Sequence, residues 1–421
     1  MVATPHRTAS QAGLRMLEAG GNAMDAAVAA AFTLGVVTPS STGIAGYGGS
    51  LIAYLADAGD LVVIDFTSRA PQAARPDMFR VEEDASGRVV VSGQANVFGA
   101  LAVDVPGIVA GLVTAHERFG ALPLRDVLRP AIEAAHKGFP LDAWTVEKLH
   151  ETLVPNAERF PDTLRLFSVD GHPPRAGDTL AVPELAATLE AIADGGAEVF
   201  YRGPIGRAIV AAVRRAGGIL TGDDLATYAP VICRPLCARY RDLDICTPPL
   251  PSGGLTLLQM LRVLEGLDLV GDGADHWLAH VLVEVAKVCW RERLTLYGDP
   301  DSVRVESEHE LAETRVAALR RRAEDGLRSP QPGEVIASDP IIGTVHLCAA
   351  DVAGNVVSLT ETHGGNFGSL FLVPGTGLVL GHGMGRFDPR PGRPNSIAPR
   401  KRPLHNMSPL LVLHGGQPIL A

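Results

Sequence analysis

The chain has 421 residues, 46% hydrophobic and 20% charged, which is enough apolar length for one large core or two ordinary ones and excludes a disordered chain. A formal net charge of -10 argues against a nucleic-acid partner, because gripping phosphate needs clustered Lys and Arg to displace counterions. The five cysteines, Cys233, Cys237, Cys246, Cys289 and Cys348, form no CxxC pair and are odd in number, so reduced core thiols are expected rather than a disulfide frame or a zinc site.

Met1-Val2-Ala3-Thr4-Pro5-His6 has neither a charged start nor an apolar block, so no export signal and a cytoplasmic location are expected. Thr8-Ala9-Ser10 offers hydroxyls to cap a first helix, and Gly20-Gly21 closes it with a residue free to turn left-handed. Asn22 or Asp25 caps a second, Ala-rich helix suited to close packing. The longest apolar stretch, 26–37, falls short of the roughly 20 residues a bilayer span needs, so no membrane association is expected.

A glycine-rich loop, 43–49, precedes a strand-like run rather than the helix a dinucleotide fingerprint needs, so close backbone packing or substrate approach is its expected use. Residues 50–55 and 61–66 read as two strands paired through Asp57-Ala58-Gly59-Asp60. The middle, 107–296, reads as mostly helical by period. It includes a rigid Pro-rich loop at 248–254 before a helix over 255–264, and another helix from about Trp277 to Leu296. A polar segment, 306–334, follows, in which Arg320-Arg321-Arg322 reads as a solvated helix end.

Beyond it, residues 341–350 and 356–362 predict two strands joined by the turn 351–355. If the turn centres on Ala353, Thr344 faces Thr362 and His346 faces Thr360, with opposed side chains roughly 4.5 to 5.5 Å apart. One face then carries Thr344, His346, Thr360 and Thr362. On geometry alone, such hydroxyl pairs are usually plain cross-strand hydrogen bonds. His346, His363, His382 and His405 crowd this region, but their spacing fits no helical metal pair and no HExxH occurs, so no metal and no cofactor are expected.

The motifs Gly343-Thr344-Val345-His346, Thr360-Glu361-Thr362, Phe367-Gly368, Val373-Pro374-Gly375-Thr376-Gly377, Pro399-Arg400-Lys401-Arg402-Pro403-Leu404 and Met407-Ser408-Pro409 follow one another in an order and spacing that resembles the gamma-glutamyltranspeptidase family. Upstream, the segments 9–13, 20–27, 105–107, 251–254 and 298–301 resemble its other signatures. The resemblance implies an α+β fold, the four-layer αββα sandwich of N-terminal nucleophile hydrolases, with two stacked sheets between helical layers. It implies self-cleavage between Gly343 and Thr344, giving a large-subunit region 1–343 and a small-subunit region 344–421 that stay associated, with higher oligomers open. The freed Thr344 becomes the nucleophile, its own α-amine, with a pKa near 8, can serve as the base, and Thr362 orients it with Thr360 in support.

Substrate recognition departs from the family's pattern. Its carboxylate-gripping Arg is replaced by Thr67, with Arg69 the nearest arginine. Its Asn after the second Thr is represented by Gly364, its paired serines by His405 and Asn406, and its acid for the substrate α-amine by Arg386. The last change reverses a charge, which disfavours an ammonium group and suits a carboxylate on a glutaryl-like acyl amide; a surface or salt-bridged Arg is the alternative. The family's oxyanion glycines follow Met-Ser-Pro, whereas the sequence stops at Gln417-Pro418-Ile419-Leu420-Ala421, so a small subunit lacking its last part is expected. Three functions stay open: a gamma-glutamyl or other acyl-amide hydrolase or transferase, a relative acting on a carbon-carbon bond, and a non-catalytic binding homologue.

Overall fold

The computed structural model describes residues 1–85, 87–271, 275–329 and 343–421. Ten strands build its two main sheets: β1 (Val2–Ala3), β2 (Gly48–Leu55), β3 (Asp60–Asp65), β4 (Val231–Cys233), β5 (Leu236–Tyr240), β6 (Leu243–Thr247), β7 (Val345–Ala350), β8 (Val356–Thr362), β9 (Leu411–His414) and β10 (Gln417–Leu420). The first sheet has the antiparallel order β1-β7-β8-β2-β3-β4, and the second β10-β9-β6-β5. The two sheets meet through Ile52, Tyr54 and Val63 on one side and Cys246, Leu411 and Leu413 on the other.

Helices α1 (Arg7–Glu18), α2 (Ala23–Val37), α3 (Ile108–Phe119), α4 (Leu124–Lys137), α5 (Pro183–Tyr201) and α6 (Pro204–Arg215) share one large apolar core with the six-stranded sheet. Every residue of α2 is buried, which explains its alanines: a helix wedged among neighbours on all sides admits only small or apolar side chains. Both residues proposed to start it act together, since Asn22 accepts from Met24 and Asp25 while Asp25 returns a bond to Asn22. The first helix differs from expectation, for its cap is His6, whose Nδ1 accepts from the Thr8 amide, rather than Thr8 or Ser10.

On the outer side of the second sheet lie α7 (Gly254–Leu264), α8 (Asp275–Leu296) and α9 (Glu313–Arg328). The result is helix, sheet, sheet, helix, the four-layer arrangement that the resemblance implies. Much of the polar segment is α9, its end at 330–334 lying outside the described residues. Strands β4 to β6 lie in the stretch read as mostly helical, and Cys237 and Cys246, opposite each other on β5 and β6, form a disulfide where reduced thiols were expected. Cross-strand neighbours nine residues apart meet because the intervening turn is tight, which no CxxC count detects. The basic run lies inside α9, where Arg320 bonds Glu313 at 3.3 Å and Arg322 bonds Glu292 at 2.5 Å, so two of the three arginines are paired rather than solvated. No helix among the described residues is long and apolar enough to cross a membrane.

Candidate active site

The β7–β8 hairpin has the register expected from a turn centred on Ala353: His346 pairs with Thr360 and Val345 with Glu361. Residue 344 precedes the strand on the same face as His346, because side chains alternate along a strand. Thr344 Oγ1 lies 2.8 Å from the Gly343 carbonyl oxygen and 3.2 Å from Thr362 Oγ1. Thr362 also hydrogen-bonds the Gly343 carbonyl, and its oxygen accepts the Gly364 amide at 2.8 Å. Thr344 has one hydroxyl proton, so it serves one acceptor at a time while Thr362 polarises the carbonyl. Two hydroxyls therefore converge on the peptide bond that precedes one of them.

Gly343 is held with φ +156, and a Cβ there would sit 2.8 Å from the Gly365 carbonyl carbon. The hairpin face continues through His346, whose Nδ1 lies 2.8 Å from Thr360 Oγ1 and whose Nε2 lies 3.3 Å from Cys348 Sγ. Thr344 and His346 are exposed, whereas Thr360 and Thr362 are buried.

Beyond Thr362 the chain turns at Gly364, with φ +99, where a Cβ would meet the His382 ring at 2.5 Å and Tyr47 at 3.2 Å. Arg386 lies with its guanidinium carbon 5.9 Å from the centre of the Tyr47 ring, and its Nε is shut from solvent without a hydrogen-bond partner. No carboxylate among the described residues forms an ion pair with it. Burial lowers the Arg386 pKa, opposed by Tyr47, and burial raises the Tyr47 hydroxyl to about 12. Burial also holds His363 and His382 down at about 3, and lowers His405 with the help of Arg293, Arg402 and Arg386. His382 and His405 thus lie within the field of a cation that has no ion-pair partner among the described residues.

A match to the family model for gamma-glutamyltranspeptidase spans residues 9–421. The chain belongs to the gamma-glutamyltranspeptidase family. It is 38% identical to the acylase ACY 1 proenzyme of Pseudomonas sp. (strain SE83), over 99% of this chain and 75% of that one. It is 33% identical to the glutathione hydrolase proenzyme of Bacillus subtilis (strain 168), over 100% of this chain and 74% of the relative. Among solved structures it resembles a cephalosporin acylase from Bacillus halodurans, with TM-score 0.86, 28% identity and coverage of 99% and 75% of the two chains. It also resembles the Helicobacter pylori gamma-glutamyltranspeptidase, with TM-score 0.69, 32% identity and coverage of 79% and 97%. The protein is accordingly a gamma-glutamyltranspeptidase-family enzyme of the acyl-transfer and amide-hydrolysis class.

Within this family member the remaining expected site residues divide. Thr67 Oγ1 lies 2.9 Å from His405 Nε2, and both are buried. Asn406 is exposed, so the neighbouring pair splits between interior and surface instead of lining one wall. Arg69 is directed to Asp301 at 3.5 Å and to the Arg400 carbonyl at 3.2 Å, away from His405.

Sequence reasoning missed what holds Thr67 in place. Asp65 accepts the Thr67 amide at 2.9 Å and pairs with Arg402 at 2.9 Å, and Arg402 also binds Asp299 at 2.7 Å. The signatures at 298–301 and 399–404 meet in that triad, so their presence was the available signal. Arg293 was missed as well: it is 1% exposed and donates to the carbonyls of Ser252, Pro251 and His405. Among the described residues no three His, Cys, Asp or Glu side chains gather to hold a metal.

Proposed function

We propose that this protein is a self-processing acyl-amide hydrolase or acyltransferase whose nucleophile is the Thr344 hydroxyl. The observation that carries the reading is the convergence of the Thr344 and Thr362 hydroxyls on the Gly343 carbonyl. In the processing reaction Thr344 Oγ1 adds to the Gly343 carbonyl carbon, the peptide C–N bond breaks, and its nitrogen takes the hydroxyl proton. Water then hydrolyses the resulting ester to a Gly343 carboxylate and a Thr344 with a free α-amine. That amine, with a pKa of about 8, is the base for turnover, and Thr362 orients the hydroxyl. Attack on an acyl amide expels the amine with a proton and leaves an ester on Thr344, which passes to water or to an acceptor amine.

The substrate class we infer is an acyl amide with a terminal carboxylate and no α-ammonium, such as a glutaryl amide. An Arg386 without an ion-pair partner among the described residues supports it, since a guanidinium binds a carboxylate well and repels an ammonium. Similarity to proteins named acylases supports an acyl group as the part that is transferred. Residues 1–343 then belong to the large subunit of the processed enzyme and residues 344–421 to the small one.

Denaturing intact-mass spectrometry tests the reading. Two chains divided before Thr344 are expected for the natural sequence and one chain for Thr344→Ala, which should fold yet turn over neither glutaryl nor gamma-glutamyl anilides. A single uncut natural chain without turnover, or an active Thr344→Ala, would overturn it.

A further inference from the structure

A cavity of about 360 Å3 opens beside the segment that carries Thr67, lined in part by Arg69, Arg400, Asp224, Thr227 and Tyr228. Its size falls within the range of about 300 to 1,000 Å3 typical of small-molecule sites. It shares no lining residue with the threonine site: Tyr228 donates its hydroxyl to the Thr67 carbonyl at 3.0 Å, while the Thr67 side chain hydrogen-bonds His405.

Two arginines line this cavity against one carboxylate, Asp224, so the lining carries a net positive charge. Asp224 is buried, and its two oxygens already accept the Gln72 amide at 2.7 Å and the amide and hydroxyl of Thr221 at 2.9 and 2.6 Å. Asp301, the partner of Arg69, is 59% exposed and stands 3.5 Å away, a long contact that water screens. Arg400 is exposed and has no side-chain hydrogen bond or ion pair among the described residues. Its backbone holds φ +59, tied at 3.0 Å to the Ala70 carbonyl, so a non-glycine residue is kept in left-handed geometry at the cavity edge. Val105, Pro230 and Val231 complete the wall with apolar surface.

Two guanidinium groups lining one cavity with apolar wall suit a carbon skeleton bearing several carboxylates better than a bare inorganic ion. We propose that the cavity lined by Arg69, Arg400, Thr227 and Tyr228 is a second anion site, separate from Thr344, that takes a small di- or tricarboxylate.

Isothermal titration of the full chain with citrate, a tricarboxylate unlike the glutaryl group assigned to Arg386, tests this, against sodium chloride at matched ionic strength. Saturable binding tighter than about 1 mM is expected. Arg400→Gln should weaken it about tenfold or more, by loss of a charge-assisted contact. Arg386→Gln should leave it unchanged, which separates this cavity from the acyl site. Thr227→Trp, which fills the cavity without touching an arginine, should abolish binding even if Arg400→Gln fails to fold. Heat no greater than that of chloride overturns the proposal. So does binding lost in Arg386→Gln but kept in Arg400→Gln, or binding weakened equally by both.

Discussion

At the scale of single residues, Thr344 and Arg386 pose opposite electrostatic problems. A threonine hydroxyl needs help to lose its proton, and Thr362 supplies orientation at 3.2 Å. Arg386 is a cation whose Nε finds no hydrogen-bond partner among the described residues, and a substrate carboxylate would complete it. Arg386→Gln should therefore lower kcat/KM for a glutaryl anilide by roughly 10- to 100-fold, the worth of about 1.5 to 3 kcal/mol, while sparing an uncharged butyryl anilide. Equal losses on both substrates would remove Arg386 from recognition. Gly343 has a separate constraint, since any Cβ would press on the Gly365 carbonyl carbon at 2.8 Å. Gly343→Ala should displace the carbonyl from the two hydroxyls and slow self-cleavage by about tenfold or more, read as a time course of chain scission. Unchanged cleavage would show that the 365–366 backbone yields instead.

At the scale of elements, the proposed cut falls between strands of one sheet. β7 lies between β1 and β8, β8 pairs with β2 along seven residues from Val356↔Tyr54 to Thr362↔Gly48, and β9 pairs with β6. Regions 1–343 and 344–421 are thus interleaved, and separating them would strip strands from both sheets. After cleavage the two pieces should co-elute as one particle in size-exclusion chromatography and part only in denaturant; separation in native buffer would contradict this. The β2–β3 and β7–β8 hairpins were legible because their strands alternate or run apolar between clear turn residues. Strands β4 to β6 were not, since they are short and carry polar residues such as Arg239 and Asp244 on exposed positions, leaving little periodic signal.

Across the whole molecule, buried titratable groups set a pH optimum for stability. His363 and His382 are pushed down to about 3 by burial, so between there and their ordinary 6.5 the unfolded chain binds more protons than the folded one. Stability from these two is full above 6.5 and is lost as pH falls toward 3, by roughly 1.4 kcal/mol per pH unit for each. Glu361 has the opposite sign. Burial raises it to about 8, so its contribution is full below 4.5 and is lost as pH rises toward 8. His405 adds to the first trend and the buried Asp104, raised by burial, to the second. The thermal midpoint of the natural protein should peak near pH 6.5, and Glu361→Gln should flatten its fall between pH 6.5 and 8. A midpoint that climbs through pH 8, or an unchanged alkaline limb in the variant, would refute the assignment.

The sequence by itself determined the family, the helices α2 and α8, and the hairpin that sets Thr344 beside Thr362, because periodicity, capping residues and turn chemistry act over a few neighbours. It also marked Thr67, Arg386 and His405 as departures, without saying what each touches. Tertiary structure decided that Thr67 meets His405 across 338 residues, that Arg402 joins Asp65 across 337, and that Cys237 bonds Cys246. It alone left Arg386 over Tyr47 without an acid among the described residues and turned Arg69 toward a different cavity. The physical reason is range: backbone propensity is written locally, whereas the partner of a buried charge or hydroxyl is supplied by whichever distant segment the packed layers bring against it.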